Sequence, residues 1–172
     1  KAEHAAAIDK AVFPGMQGGP IMSAIAAKAV ALHECQQSSY QSYAKQVVVN
    51  AKALASALVA EGMRAISGGT ETHLALIDVT GVGVTGKVAD ERCGASGITL
   101  NKNSIPFDPN PPAVTSGIRV GTPAVTTQGM GVDQMQVIAN LITRAIKSDD
   151  ANEHAKIKSE VQSLVTNYPI YA

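Results

Sequence analysis

Aromatic side chains are nearly absent from this chain of 172 residues: they make up 3% of it, as four tyrosines and two phenylalanines, with no tryptophan. That excludes a surface built on base stacking and a sugar cleft lined by rings. Net charge is missing too. The 14 Lys and Arg residues balance the 14 Asp and Glu residues, so no field steers the chain to nucleic acid or to a membrane surface. Only two cysteines occur, Cys35 and Cys93, with no CxxC and no His/Cys cluster. This argues for a reducing cytoplasm and against structural zinc. The four histidines show no metal-ligand spacing. No apolar run is long enough to cross a bilayer, and no signal peptide is visible.

What is present is a 45% apolar fraction, enough to fill the core of one ordinary domain or somewhat more. The first residue is Lys1 and an alanine-rich stretch follows directly, so the chain reads as a piece of something longer. Residues 1–12 look helical. Phe13-Pro14-Gly15-Met16-Gln17-Gly18-Gly19-Pro20 is a Gly/Pro turn, with Pro20 at the first position of a helix over Ile21–Glu34. The polar stretch Cys35–Ser42 is the expected domain boundary.

A second helix is predicted over 40–61, because Val47, Ala51, Leu54 and Leu58 recur every three or four residues and Gly62 stops it. Met63–Ser67 is short and strand-like, Gly68-Gly69-Thr70 is a turn, and His73–Val79 suits a strand. Thr85 caps a helix to about Gly94, and Ile98–Leu100 is another short strand. Ile105–Pro112 holds four prolines in eight residues and must be an irregular loop. Thr115–Val120 is a strand, Gly129–Ser148 an amphipathic helix through Met135, Ile138, Leu141, Ile142 and Ala145, and Asn152–Asn167 the last helix. This order gives an α/β chain with an α+β small domain.

Three stretches offer chemistry. Ser116-Gly117-Ile118-Arg119-Val120-Gly121-Thr122-Pro123-Ala124 sets one arginine among apolar neighbours. A strand turns Ile118 and Val120 to one side and Arg119 to the other. Its planar fork suits a carboxylate held bidentately; the other reading is a structural pair, with Asp78 as partner. Gly18 and Gly19 open a helix, so their bare N–H groups suit an anion, or they make a plain turn. Asn101-Lys102-Asn103-Ser104 presents amides to a heterocycle edge, or forms a solvated turn. His73 reads as a core or edge histidine, and His4, His33 and His154 as solvated.

Val12–Pro20, Leu100–Ser104 and Thr115–Ala124, in this order and spacing and with the ending Tyr168-Pro169-Ile170-Tyr171-Ala172, resemble serine hydroxymethyltransferase over essentially the whole chain. The resemblance implies a pyridoxal-phosphate enzyme of the fold-type I, aspartate-aminotransferase-like architecture. Such an enzyme interconverts serine and glycine, with tetrahydrofolate carrying the one-carbon unit. It implies that residues 1–35 end the large cofactor domain and 36–172 form the C-terminal small domain. It also implies a homodimer or tetramer with active sites shared between subunits.

By the same resemblance, Gly18 and Gly19 reach the cofactor phosphate of the neighbouring subunit, and Arg119 holds the amino-acid α-carboxylate. Asn103 lies beside the pterin, and Phe13 lies near the folate across the dimer. Pro111-Pro112-Ala113 stands where the family has a folate-proximal loop, often Ser-Pro-Phe. Ser23 and Gln128 depart from common family residues as well. The family's Schiff-base lysine lies in a Thr-Thr-His-Lys-Thr motif that does not occur here. Lys28, Lys87 and Lys102 are therefore not given that role, no catalytic residue is assigned, and the chain alone is expected to be inactive. The rival readings are another fold-type I enzyme, such as a threonine aldolase, and a non-catalytic binding or dimerisation module.

Overall fold

The computed structural model describes residues 1–170, so Tyr171 and Ala172 of the C-terminal motif lie outside the described residues. The chain divides into two compact units, Lys1–Gln41 and Ser42 onward.

In the first unit, helix α1 (Ala2–Lys10) follows from its alanines, the strongest helix formers. A wide turn over Ala11–Met16 breaks at Phe13, which is extended (φ −134°, ψ 125°) because the following Pro14 disfavours a helical conformation before it. Helix α2 (Met22–Cys35) begins one residue after the predicted start, because Ile21 stays extended as the capping position. Neither α1 nor α2 buries a single residue.

Helix α3 (Ser38–Ala60) starts in the first unit and supplies the second with a buried stripe: Val47, Asn50, Ala51, Leu54, Ala55, Ala57 and Leu58. Gly62 ends it with φ 100°. The Gly62 amide donates to Val59 O at 3.0 Å and the Met63 amide to Leu58 O at 3.2 Å, the paired bonds of a Schellman motif. Only Gln36 and Gln37 separate α2 from α3, so most of the polar stretch Cys35–Ser42 is helical.

Four short strands follow: β1 (Arg64–Ala65), β2 (Leu74–Asp78), β3 (Asn101–Asn103) and β4 (Gly117–Gly121). They form one antiparallel sheet in the order β1-β2-β4-β3. Helix α4 (Gly86–Ala95) joins β2 to β3, and α5 (Pro123–Thr127), α6 (Val132–Lys147) and α7 (Ala151–Thr166) follow β4. Thr85 caps α4 as predicted, its hydroxyl accepting the Val88 amide at 3.3 Å.

Ile77, Ile118, Ala75 and Val120 enter one hydrophobic core with Leu58, Met135, Ile142, Ile146 and Ile157. The result is mixed helix and sheet, with a small antiparallel sheet. Arg144 of α6 bridges to Glu153 and Glu160 of α7, at 2.7 Å each.

Two expectations are corrected and one element is new. The strand expected at Ile98–Leu100 lies at Asn101–Asn103, because its ladder is set by Gly117 and Arg119 of β4. Helix α5 was not foreseen, although Pro123 at its start is a helix-opening signal. His154 is buried, not solvated: it sits one turn before Ile157 on the inner face of α7. Its Nδ1 lies 2.8 Å from the Ser96 hydroxyl.

Candidate functional site

Alternation along the strands sorts the sheet into two faces. Ala75, Ile77, Ile118 and Val120 point into the core. The opposite face carries Arg64, Asp78, Leu76, Arg119, Asn101 and Asn103, as the register shows: Arg64 opposes Asp78, Leu76 opposes Arg119, Asn101 opposes Arg119, and Asn103 opposes Gly117. Two strands thus bring Arg119 and Asn103 onto one face.

Arg119 is exposed, and its Nε donates to Asn101 Oδ1 at 3.2 Å. Among the described residues no carboxylate pairs with it. The ion pair with Asp78, one of the two readings of the sequence, is not formed. Asp78 faces Arg64 instead, 2.8 Å from Nη2 and 3.2 Å from Nε. The reason is the β1–β2 pairing, which puts Arg64 directly across from Asp78. Burial pushes the Asp78 carboxyl up, but the hydroxyl and amide of Thr80 and the Arg64 guanidinium outweigh it and hold it below the ordinary carboxylate range. Arg119 is left with its terminal nitrogens in solvent and its stem steadied by one amide.

Asn103 is half-buried, and its amide nitrogen donates to Ser104 O at 2.8 Å. The loop after it is held from inside by Asp108. One carboxylate oxygen accepts the amides of Ile105 (3.0 Å) and Ser116 (2.9 Å); the other accepts the Asn110 amide (2.9 Å) and the Ser116 hydroxyl (2.6 Å). Burial acts to raise this carboxyl, yet the Ser116 hydroxyl and the three amides bring it down to about 2. Pro111, Pro112 and Ala113 are exposed. Just beyond them, the carbonyls of Val114 and Thr115 accept the Lys87 and Gly86 amides at 2.9 and 3.0 Å, which ties the loop to the start of α4.

Gly117 explains the glycine of the arginine motif. A Cβ there would lie 2.7 Å from Ile105 Cγ2, 2.9 Å from Asn103 O and 3.1 Å from Ile77 O. Only a bare backbone lets β2, β3 and the proline loop close around β4.

Phe13, Gly18 and Gly19 lie in the first unit and are exposed. A Cβ on Gly18 or Gly19 would meet nothing within 4 Å, and neither has a positive φ. Nothing in the described residues requires glycine at these two positions. His73 is exposed; its carbonyl accepts the Thr122 amide at 3.0 Å. Among the described residues, no three His, Cys, Asp or Glu side chains are grouped as a metal site, and no helix is long and apolar enough to cross a membrane.

The family model for serine hydroxymethyltransferase matches residues 1–142. A serine hydroxymethyltransferase of Coprothermobacter proteolyticus is 50% identical over 171 residues, which is 99% of this chain and 41% of that protein. The chain belongs to the serine hydroxymethyltransferase family. Another serine hydroxymethyltransferase, from Acidobacterium capsulatum, is 51% identical over 170 residues, covering 98% of this chain and 40% of its own length. The chain therefore spans less than half the length of these curated relatives.

Within this serine hydroxymethyltransferase segment, sequence reasoning named Asn101 in its amide stretch but missed its bond to Arg119, and missed Asp108. The first had a signal: Asn101 lies two residues from Asn103, and in a strand the two share a face. Asp108 had none, because its four partners are brought to it by the fold of the loop.

Proposed function

We propose that the whole protein interconverts serine and glycine, exchanging the one-carbon unit with tetrahydrofolate, as a pyridoxal-phosphate enzyme of the fold-type I class. The observation that carries the reading is Arg119, an exposed guanidinium with no carboxylate partner among the described residues, in a chain of this family. Its two terminal nitrogens suit the α-carboxylate of an amino acid held bidentately. Asn101 limits rotation of the fork, so less freedom is lost when the acid binds.

The other roles follow from the same reading. Asn103 offers an amide edge to the pterin, beside Pro111, Pro112 and Ala113. Ala113 carries no ring, so this chain would grip folate there differently from relatives with an aromatic residue. Gly18 and Gly19 leave backbone N–H groups bare for the cofactor phosphate. The glycines' freedom from any packing or φ requirement in this chain favours that use. Phe13 would serve the folate site of a neighbouring subunit in a homodimer or tetramer.

Bound pyridoxal phosphate would supply the electron sink of the reaction. This chain's own part is to hold and orient the amino acid and the folate. Residues 1–35 would complete the cofactor domain, and 36–172 form the small domain. With no Thr-Thr-His-Lys-Thr motif, the chain alone would be inactive. Two free cysteines, one exposed and one buried, suit the cytoplasm.

The test is Arg119→Ala in the full-length protein. A lost positioning contact of this kind lowers kcat/KM for serine by about 100-fold, equivalent to about 2.7 kcal/mol. The absorbance of bound cofactor should persist. Unaltered serine turnover in this variant would refute the assignment.

A further inference from the structure

The chain has two phenylalanines, Phe13 and Phe107, and both are exposed. Phe107 is the more extreme. At 103% exposure it is the most open of the large apolar side chains among the described residues, and its backbone is left-handed, with φ 57°.

The cause of that φ is the turn Ile105-Pro106-Phe107-Asp108. The Asp108 amide donates to Ile105 O at 3.1 Å. Proline at the second position and a positive φ at the third make it a type II turn, whose third position ordinarily takes glycine or asparagine. A bulky residue there strains the backbone. Inside the described unit it gains no burial in return. A local rule broken without local compensation marks a position held for something outside its own fold.

The turn is also rigid. Pro106 and Pro109 fix two backbone angles, and Asp108 anchors the segment through bonds to Ile105, Asn110 and Ser116. Asp108 is the one charge between Ile105 and Ala113, and its oxygens are turned inward. The loop therefore offers a neutral surface with one ring standing out of a fixed backbone, in the stretch that runs from Asn103 to Pro111–Ala113. Fixing the backbone that carries a ring lowers the entropy lost on binding. A neutral aromatic face in a loop that follows an amide-bearing strand suits a flat heteroaromatic ring better than a charged or flexible partner.

We infer that Phe107 is a stacking platform for a flat ring of the folate cosubstrate. The inference rests on the folate reading of Asn103 and Pro111–Ala113 proposed above, and names a further residue of that site.

The experiment uses the full-length enzyme with tetrahydrofolate and serine. Phe107→Gly suits the turn and removes only the ring, so the fold is preserved. It should raise the KM for tetrahydrofolate about tenfold, the scale of one lost ring stack, while the KM for serine stays and the thermal midpoint holds or rises. Phe107→Tyr should restore the KM. An unchanged KM for tetrahydrofolate in Phe107→Gly, in an enzyme that still depends on the folate, overturns the platform alone. A fall in thermal midpoint or a shift to monomer at unchanged KM also overturns it, since the ring then packs against protein. A wild-type enzyme whose serine cleavage ignores tetrahydrofolate overturns the underlying folate reading instead.

Discussion

A methyl group on Gly117 would meet two backbone carbonyls, Asn103 O and Ile77 O, and one methyl of Ile105. Carbonyls in a ladder cannot step aside as a flexible side chain does, so the sheet itself must shift. Gly117→Ala should therefore destabilise the chain by about 2 to 3 kcal/mol, read as a lower urea midpoint. It should also displace Arg119, two residues along β4. A midpoint within experimental error of the wild type would show that the strand yields more easily than the geometry implies. Arg119 was readable in the sequence because a lone guanidinium in an apolar alternating run has few uses. Its freedom from Asp78 was not, since that depends on β1 pairing with β2 and delivering Arg64 to Asp78. Phe107 escaped for a similar reason: a left-handed φ at a phenylalanine contradicts local preference and is visible only in the folded loop.

At the level of elements, the long helices were readable, and so were β1 within Met63–Ser67, β2 within His73–Val79 and β4 at Thr115–Val120; β3 was not. A helix such as α6 repeats its apolar residues over 16 positions, and the period survives errors at its ends. Strands of two to five residues carry too few alternations to fix their ends. In β3 the residues are Asn-Lys-Asn, types depleted in strands, held there by their ladder to β4.

The proline loop is the element whose chemistry can be tested directly. Its carboxylate, Asp108, titrates at about 2, below the usual value near 3.9. A depressed folded pKa stabilises the fold at pH above the unfolded value, and the contribution disappears as pH falls from roughly 4 toward 2. Asp108→Asn removes the charged acceptor and keeps the shape. It should lower the urea midpoint at pH 7, and the gap to the wild type should narrow steadily between about pH 4 and pH 2. An equal gap at pH 7 and pH 2 would mean that the anionic form contributes nothing beyond its shape.

For the whole molecule, burial is divided unevenly. Among the described residues every fully buried side chain lies in the second unit, while α1 and α2 bury none. Helix α2 is nonetheless apolar on most sides, with Met22, Ile25, Val30 and Leu32 all exposed. Its composition is that of a buried helix, in a place where nothing in its own unit covers it. A helix of 14 residues without a packed face is marginal in water, so its amides open at almost no free-energy cost, whereas those of α6 open at a cost approaching that of global unfolding. Hydrogen exchange on the 172-residue chain should therefore show peptides from 22–35 exchanging at least about a thousandfold faster than those from 135–146. In the full-length protein, where the proposed cofactor domain is complete, the same 22–35 peptides should slow toward the rate of α6. Equal protection of α2 and α6 in the 172-residue chain would show that the first unit is stable by itself, and that its apolar surface needs another explanation.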